Sequence, residues 1–131
     1  MRIVLIPIAA LGLLGAAAPA APREDTLASA LAGRVAGTPV DCVENSRLDG
    51  PQIIDKKTLI YRESGRRIWR NDLIGECPGL QPMDTLVVEI FGSQLCRNDH
   101  FRALTPGIRI PGPICRLGKF TPYDKPAKAR R

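Results

Sequence analysis

Cys42, Cys77, Cys96 and Cys115 are the side chains with the widest chemical reach in this sequence. A thiol can hold a metal, attack a substrate or close a disulfide. Structural zinc sites draw their ligands in close C-x₂₋₄-C pairs. Here the separations are 35, 19 and 19 residues, with no close pair. The spacing favours two disulfides, for which four cysteines allow three pairings. Cys77–Cys96 with Cys42–Cys115 is the expected one, because it closes a local loop and ties chain start to chain end. With every cysteine oxidised, no thiol nucleophile remains.

Other residues suited to catalysis are sparse. His100 is the single histidine and follows Asp99 directly. Adjacent side chains of an extended segment point to opposite faces, so Asp99 is badly placed to orient His100 as a base. No serine sits in a Gly-x-Ser-x-Gly setting, and one histidine cannot build a multi-histidine metal centre. Asp72, Glu76, Asp84 and Asp99 could do acid–base work, but no spacing forces two of them onto a common face. Acidic residues in turns ordinarily bond to backbone amides instead. The expectation is no catalytic residue, no metal and no cofactor. A small carboxylate-dependent hydrolase of cell-wall glycans is the alternative.

The remaining chemistry is ionic. Arg62, Arg66, Arg67 and Arg70 fall within nine positions, with Tyr61 and Trp69 interleaved. Guanidinium groups pair with phosphate or other anionic groups, and an indole stacks on a sugar or base. Arg62, Arg66, Arg67, Trp69 and Arg70 are therefore the candidate anion-binding residues. Glu63, Asp72 and Glu76 dilute the cluster, and basic residues also protect sheet edges from aggregation. Lys119, Lys125, Lys128, Arg130 and Arg131 add positive charge near the end of the chain.

These residues need elements to position them. Asp25 or Thr26 can cap a short helix carrying Leu27 and Leu31 on one face, stopped by Gly33 or Gly37. Thr58 to Arg62 and Arg67 to Arg70 read as a β-hairpin around Glu63-Ser64-Gly65-Arg66. Thr85 to Phe91 reads as the strongest strand in the chain, with Leu86, Val88 and Ile90 on one face and Val87 and Phe91 on the other. It reads as a central strand covered on both sides. Trp69 or Tyr61, Leu86, Val88, Ile90 and Phe101 are the expected core. Pro106, Pro111, Pro113, Pro122 and Pro126 cut up the tail, which confines its strands to edges or extended arms.

The N-terminus reads as a cleaved leader. Met1-Arg2 gives a minimal positive start, Ile3 to Leu14 an apolar stretch, and Ala18-Pro19-Ala20 a small-residue cleavage site. The apolar run falls short of the roughly 20 residues a membrane helix needs, and no second such segment follows. Export to an oxidising periplasmic or extracellular space agrees with paired cysteines. Losing Arg2 takes the net charge from +6 to +5. The division is residues 1–20 leader, 21–37 short helix or flexible arm, 38–123 disulfide-stapled β domain and 124–131 disordered basic tail. About 110 residues remain, enough for one modest core.

Cys42-Val43, Arg70-Asn71, Cys77-Pro78-Gly79-Leu80, Leu95-Cys96-Arg97-Asn98-Asp99 and Cys115-Arg116-Leu117-Gly118-Lys119-Phe120-Thr121-Pro122 follow one another in a characteristic order. The chain resembles a family of small, uncharacterised exported proteobacterial proteins with this four-cysteine skeleton and its Cys-Pro-Gly-Leu and Cys-x-Leu-Gly-x-Phe motifs. The resemblance implies an exported compartment and bridged cysteines, and carries no catalytic residue.

The fold expected is mainly β, a small antiparallel barrel or sandwich with two disulfides. The function expected is a non-catalytic, monomeric exported domain that binds an envelope component or serves a structural role. An anionic envelope polymer or lipid headgroup is a better partner there than nucleic acid.

Overall fold

A computed structural model describes residues 23–128. The leader expected over residues 1–20 lies outside the described residues, as do positions 129–131 of the basic tail. In chain order the elements are α1 (Arg23–Leu31), β1 (Val35–Ala36), β2 (Cys42–Glu44), a 3₁₀ turn (Asn45–Arg47), β3 (Asp49–Ile53), β4 (Thr58–Arg62) and β5 (Arg67–Asp72). Then follow β6 (Thr85–Val88), β7 (Gln94–Cys96), β8 (His100–Leu104), β9 (Cys115–Arg116) and β10 (Phe120–Asp124).

The expected antiparallel β architecture is present as three sheets. A five-stranded sheet runs β1-β10-β5-β4-β3, a ribbon pairs β2 with β7, and a small sheet runs β6-β8-β9. Every pair is antiparallel. The β4–β5 hairpin has the register the sequence suggests, with Tyr61 opposite Trp69 and Arg62 opposite Ile68. Ser64 Oγ shapes its turn by accepting the N–H groups of Arg66 at 3.2 Å and Arg67 at 3.1 Å.

Period-2 alternation gives the large sheet two distinct faces. Leu59, Tyr61, Trp69 and Phe120 face a core completed by Val43, Leu95, Phe101, Leu117 and Leu80, so the ribbon and the small sheet both pack on this side. Ile60 and Ile68 point the other way, where Leu27, Ala30 and Leu31 of α1 cover them together with Tyr123. That docking is why a nine-residue helix, too short to persist alone, holds here. Gly33, at φ 68°, turns the chain out of it.

The strand buried on both faces is therefore β4, whose residues Thr58, Leu59, Ile60 and Tyr61 are all buried. The expectation placed that role on Thr85 to Phe91. Instead β6 ends at Val88 and forms an edge of the small sheet. Leu86 and Val88 turn inward, whereas Val87 is 51% and Phe91 87% exposed, and Ile90 is exposed too. Apolar side chains on both faces of a strand do not say whether a second layer exists to cover them.

The prolines also mislead at one point. Pro122 lies in β10, inside the large sheet between β1 and β5. Gly37 donates to Pro122 O at 2.7 Å, and proline has no N–H to return the bond. The missing donor falls where β1 has already ended at Ala36, so an interior strand tolerates it.

Two disulfides form, in a pairing other than the expected one. Cys42 and Cys96 stand directly opposite each other across the β2–β7 ribbon and are bridged. Cys115 is carried by β9 to the edge of β8 beside Phe101 and bridges to Cys77, whose N–H is anchored on Lys56 O at 2.9 Å. Ribbon pairing takes Cys96 away from Cys77, and no reading of cysteine spacing alone supplies that contact.

Tyr61 is buried against Phe120, ring centroids 5.9 Å apart, and its hydroxyl has no hydrogen-bond partner among the described residues. Burial drives its pKa well above the ordinary phenol range. Tyr61→Phe keeps the ring and removes the unsatisfied oxygen, so it is expected to stabilise the fold by about 1 kcal/mol. The urea midpoint should rise; a fall would mean that the hydroxyl is bonded after all.

Candidate anion-binding site

The hairpin divides the five basic and aromatic candidates between two faces. Arg67 and Trp69 alternate onto the side of the main core, Arg62 and Arg70 onto the side of α1, and Arg66 occupies the turn. A flat five-residue surface therefore does not form.

Arg67, Trp69 and Arg70 are committed internally. Arg67 lies opposite Asp124 of β10 and holds it with two bonds, Nε to Oδ1 at 2.7 Å and Nη2 to Oδ2 at 2.6 Å. Those bonds hold the Asp124 carboxyl below its usual range, so the pair stays ionised at neutral pH. The Arg67 guanidinium also sits 5.3 Å from the centre of the Trp69 ring. Trp69 Nε1 donates to Glu63 Oε2 at 2.8 Å, and Arg47 approaches the same carboxylate at 3.9 Å. Arg70 pairs with Asp72 at 2.9 Å.

Arg62 and Arg66 are different. Their side chains donate to neutral oxygens, Arg62 to Gln52 Oε1 at 3.4 Å and Arg66 to Lys125 O at 3.3 Å. Arg34, just past the helix stop, lays its guanidinium on the carbonyls of Arg66 and Gly65. Lys125 is drawn in by its own N–H, which donates to Arg66 O at 2.9 Å. None of the four meets a carboxylate within ion-pairing distance among the described residues. Arg34, Arg62 and Lys125 line an open cleft of about 320 Å³ with Thr26, Ser29 and Gln52. Cations, two hydroxyls and an amide, with no acid in the lining, suit an anionic group.

Sequence reasoning supplied Arg62 and Arg66 but missed Arg34, because nothing local marks a residue 28 positions upstream as a neighbour of the hairpin. By sequence Lys125 belongs to the tail; the β10–β5 register is what delivers it to the turn.

The chain matches a family of unknown function, DUF6491, over residues 1–130. It belongs to that family. Neither the curated proteins nor the solved structures contain a match.

In this DUF6491 protein the four carboxylates weighed for acid–base work have separate local roles. Asp72 binds Arg70, and Glu76 lies 3.9 Å from Lys56. Asp84 accepts the N–H of Gln81 at 2.9 Å, and Asp99 that of Cys96 at 2.7 Å. Among the described residues no two of them line one of the five main clefts. His100 is exposed at the start of β8. Among the described residues no group of three histidine, cysteine or acidic side chains is placed to hold a metal, and no helix is long and apolar enough to cross a membrane.

Proposed function

We propose that this DUF6491 protein is a non-catalytic domain exported to a proteobacterial envelope, where it binds an anionic polymer through Arg34, Arg62, Arg66 and Lys125. One observation carries the reading: among the described residues Arg34, Arg62, Arg66 and Lys125 gather around the hairpin without a direct ion pair, whereas Arg67 is paired with Asp124, the acid closest to them, and Arg70 with Asp72. Uncompensated like charges repel one another and persist without penalty only when solvated or when an anion binds. The leader-like N-terminus and the two disulfides support an exported setting. An open cleft with hydroxyls at its margin fits a flexible, repetitive anion better than a small molecule held on all sides.

The experiment is salt-dependent binding to heparin as a model anionic polymer. Four neutralised charges predict a loss of roughly 50-fold in affinity between about 50 and 200 mM salt. Arg62→Ser with Arg66→Ser should halve that slope and leave the melting temperature almost unchanged, since exposed arginines contribute little to folding. An unchanged slope in the double variant removes these residues from the site.

A further inference from the structure

The small sheet carries a second surface, independent of the hairpin cluster. Among the described residues, seven of the nine large apolar side chains left exposed fall between positions 83 and 114. They are Met83, Val87, Ile90, Phe91, Ile108, Ile110 and Ile114. The register places Val87 on the outer face, and the other six lie in the segments that flank or join these strands. Leu86, Val88, Phe101, Ala103 and Cys115 turn inward to the core, so the alternate residues of β6 and β8 must turn out. Val87 lies opposite Arg102, and Val87, Ile114, His100, Arg102 and Glu89 border one shallow depression. Phe91, in the segment after β6, is 87% exposed, and Ile110, in the segment between β8 and β9, is 80% exposed.

The charges between these apolar groups have one dominant sign. Arg102, Arg109 and Arg116 meet no carboxylate within ion-pairing distance among the described residues, Arg102 donating instead to Gly112 O at 3.0 Å. Of the neighbouring acids, Asp84 and Asp99 are half-buried and accept backbone N–H groups, so Glu89 is the one exposed acid set against the three arginines. Arginines interleaved with protruding Phe and Ile side chains are the composition that lets a surface sit at a lipid interface. The apolar tips enter the acyl boundary and the guanidinium groups meet phosphates.

We infer that the outer face of the β6-β8-β9 sheet, with the Phe91 and Ile108–Ile110 loops, docks on an anionic lipid bilayer surface. A second copy of the chain fits less well. A two-fold contact through this face would set Arg102, Arg109 and Arg116 against their own images, with Glu89 as the one exposed acid there to offset them.

Co-sedimentation of the oxidised protein with phosphatidylcholine vesicles, alone or with 30% phosphatidylglycerol, tests this. Partition should be at least tenfold stronger with the anionic vesicles, and Phe91→Ser with Ile110→Ser should lower it at least tenfold with no change in melting temperature. Phe91→Trp adds a positive signal: its fluorescence should shift blue and be quenched by brominated lipid. Absence of partition overturns the inference. So does vesicle binding that survives Phe91→Ser with Ile110→Ser but is lost in Arg62→Ser with Arg66→Ser, which would assign the lipid to the hairpin cluster. A stable dimer abolished by the Phe91/Ile110 changes would also overturn it, by making the face a self-interface.

Discussion

Replacing Gly118 by alanine is expected to abolish the folded state. A Cβ at this position would lie 1.6 Å from Asp72 O and 2.8 Å from Asp72 C. Both are backbone atoms of β5, so no side chain can swing aside. The close approach serves a clamp. The fully buried Asn71 accepts the Gly118 N–H at 2.9 Å and donates to Gly118 O at 2.9 Å. Pushing the strands apart to admit a methyl group would break both bonds and strand their polar groups in the core, at about 1–3 kcal/mol each. Steric strain adds to that, against a total stability of about 5–15 kcal/mol. Gly65→Ala is the control, because nothing lies within 4 Å of its Cβ. Circular dichroism and urea titration of the two variants decide the point. A Gly118→Ala protein with a near-parental midpoint would show that the Asn71 clamp is misplaced.

The second large effect lies in the disulfides, and the two should not be equal. Loop-closure entropy ranks them almost level, at about 4 kcal/mol each, for sequence separations of 54 and 38 residues. Burial breaks the tie. Cys77 and Cys115 are 1% and 7% exposed and belong to the main core, whereas Cys42 is exposed at the ribbon's edge. Cys77→Ala with Cys115→Ala therefore loses the cross-link and also leaves a cavity, about 1 kcal/mol more. Cys42→Ala with Cys96→Ala loses chiefly the cross-link. Thermal melts should find the first variant the less stable; the reverse order would mean that loop length outweighs packing.

These two results bear on what the sequence motifs mean. Cys-x-Leu-Gly-x-Phe supplies a buried bridge at Cys115, the fully buried Leu117 and Phe120, and the Gly118 clamp. Cys-Pro-Gly-Leu supplies the other end of that bridge, a left-handed turn at Gly79 (φ 76°) and the buried Leu80. The motifs that stand out in the chain are thus explained by architecture. The candidate binding residues Arg34, Arg62, Arg66 and Lys125 lie outside both motifs.

Local signals were legible and non-local ones were not. The β4–β5 hairpin and the helix stop at Gly33 follow from turn chemistry and alternation over a few residues. The cysteine pairing, the interior place of Pro122 and the edge place of Thr85 to Val88 depend on which strands meet, and apolar periodicity is blind to that. The basic cluster was half legible for the same reason. Its hairpin members are local, whereas Arg34 arrives from the N-terminal side and Lys125 from the C-terminal side.

The place of β10 between β1 and β5 also constrains timing. A chain made from its N-terminus has every other strand of the large sheet in hand before Phe120 to Asp124 emerge. Until they do, β5 has an open side and Asn71 lacks the backbone of Gly118. The sheet cannot close early around a gap that only β10 can fill. The large sheet must therefore remain incomplete, its strand edges available to other chains, until β10 has been made.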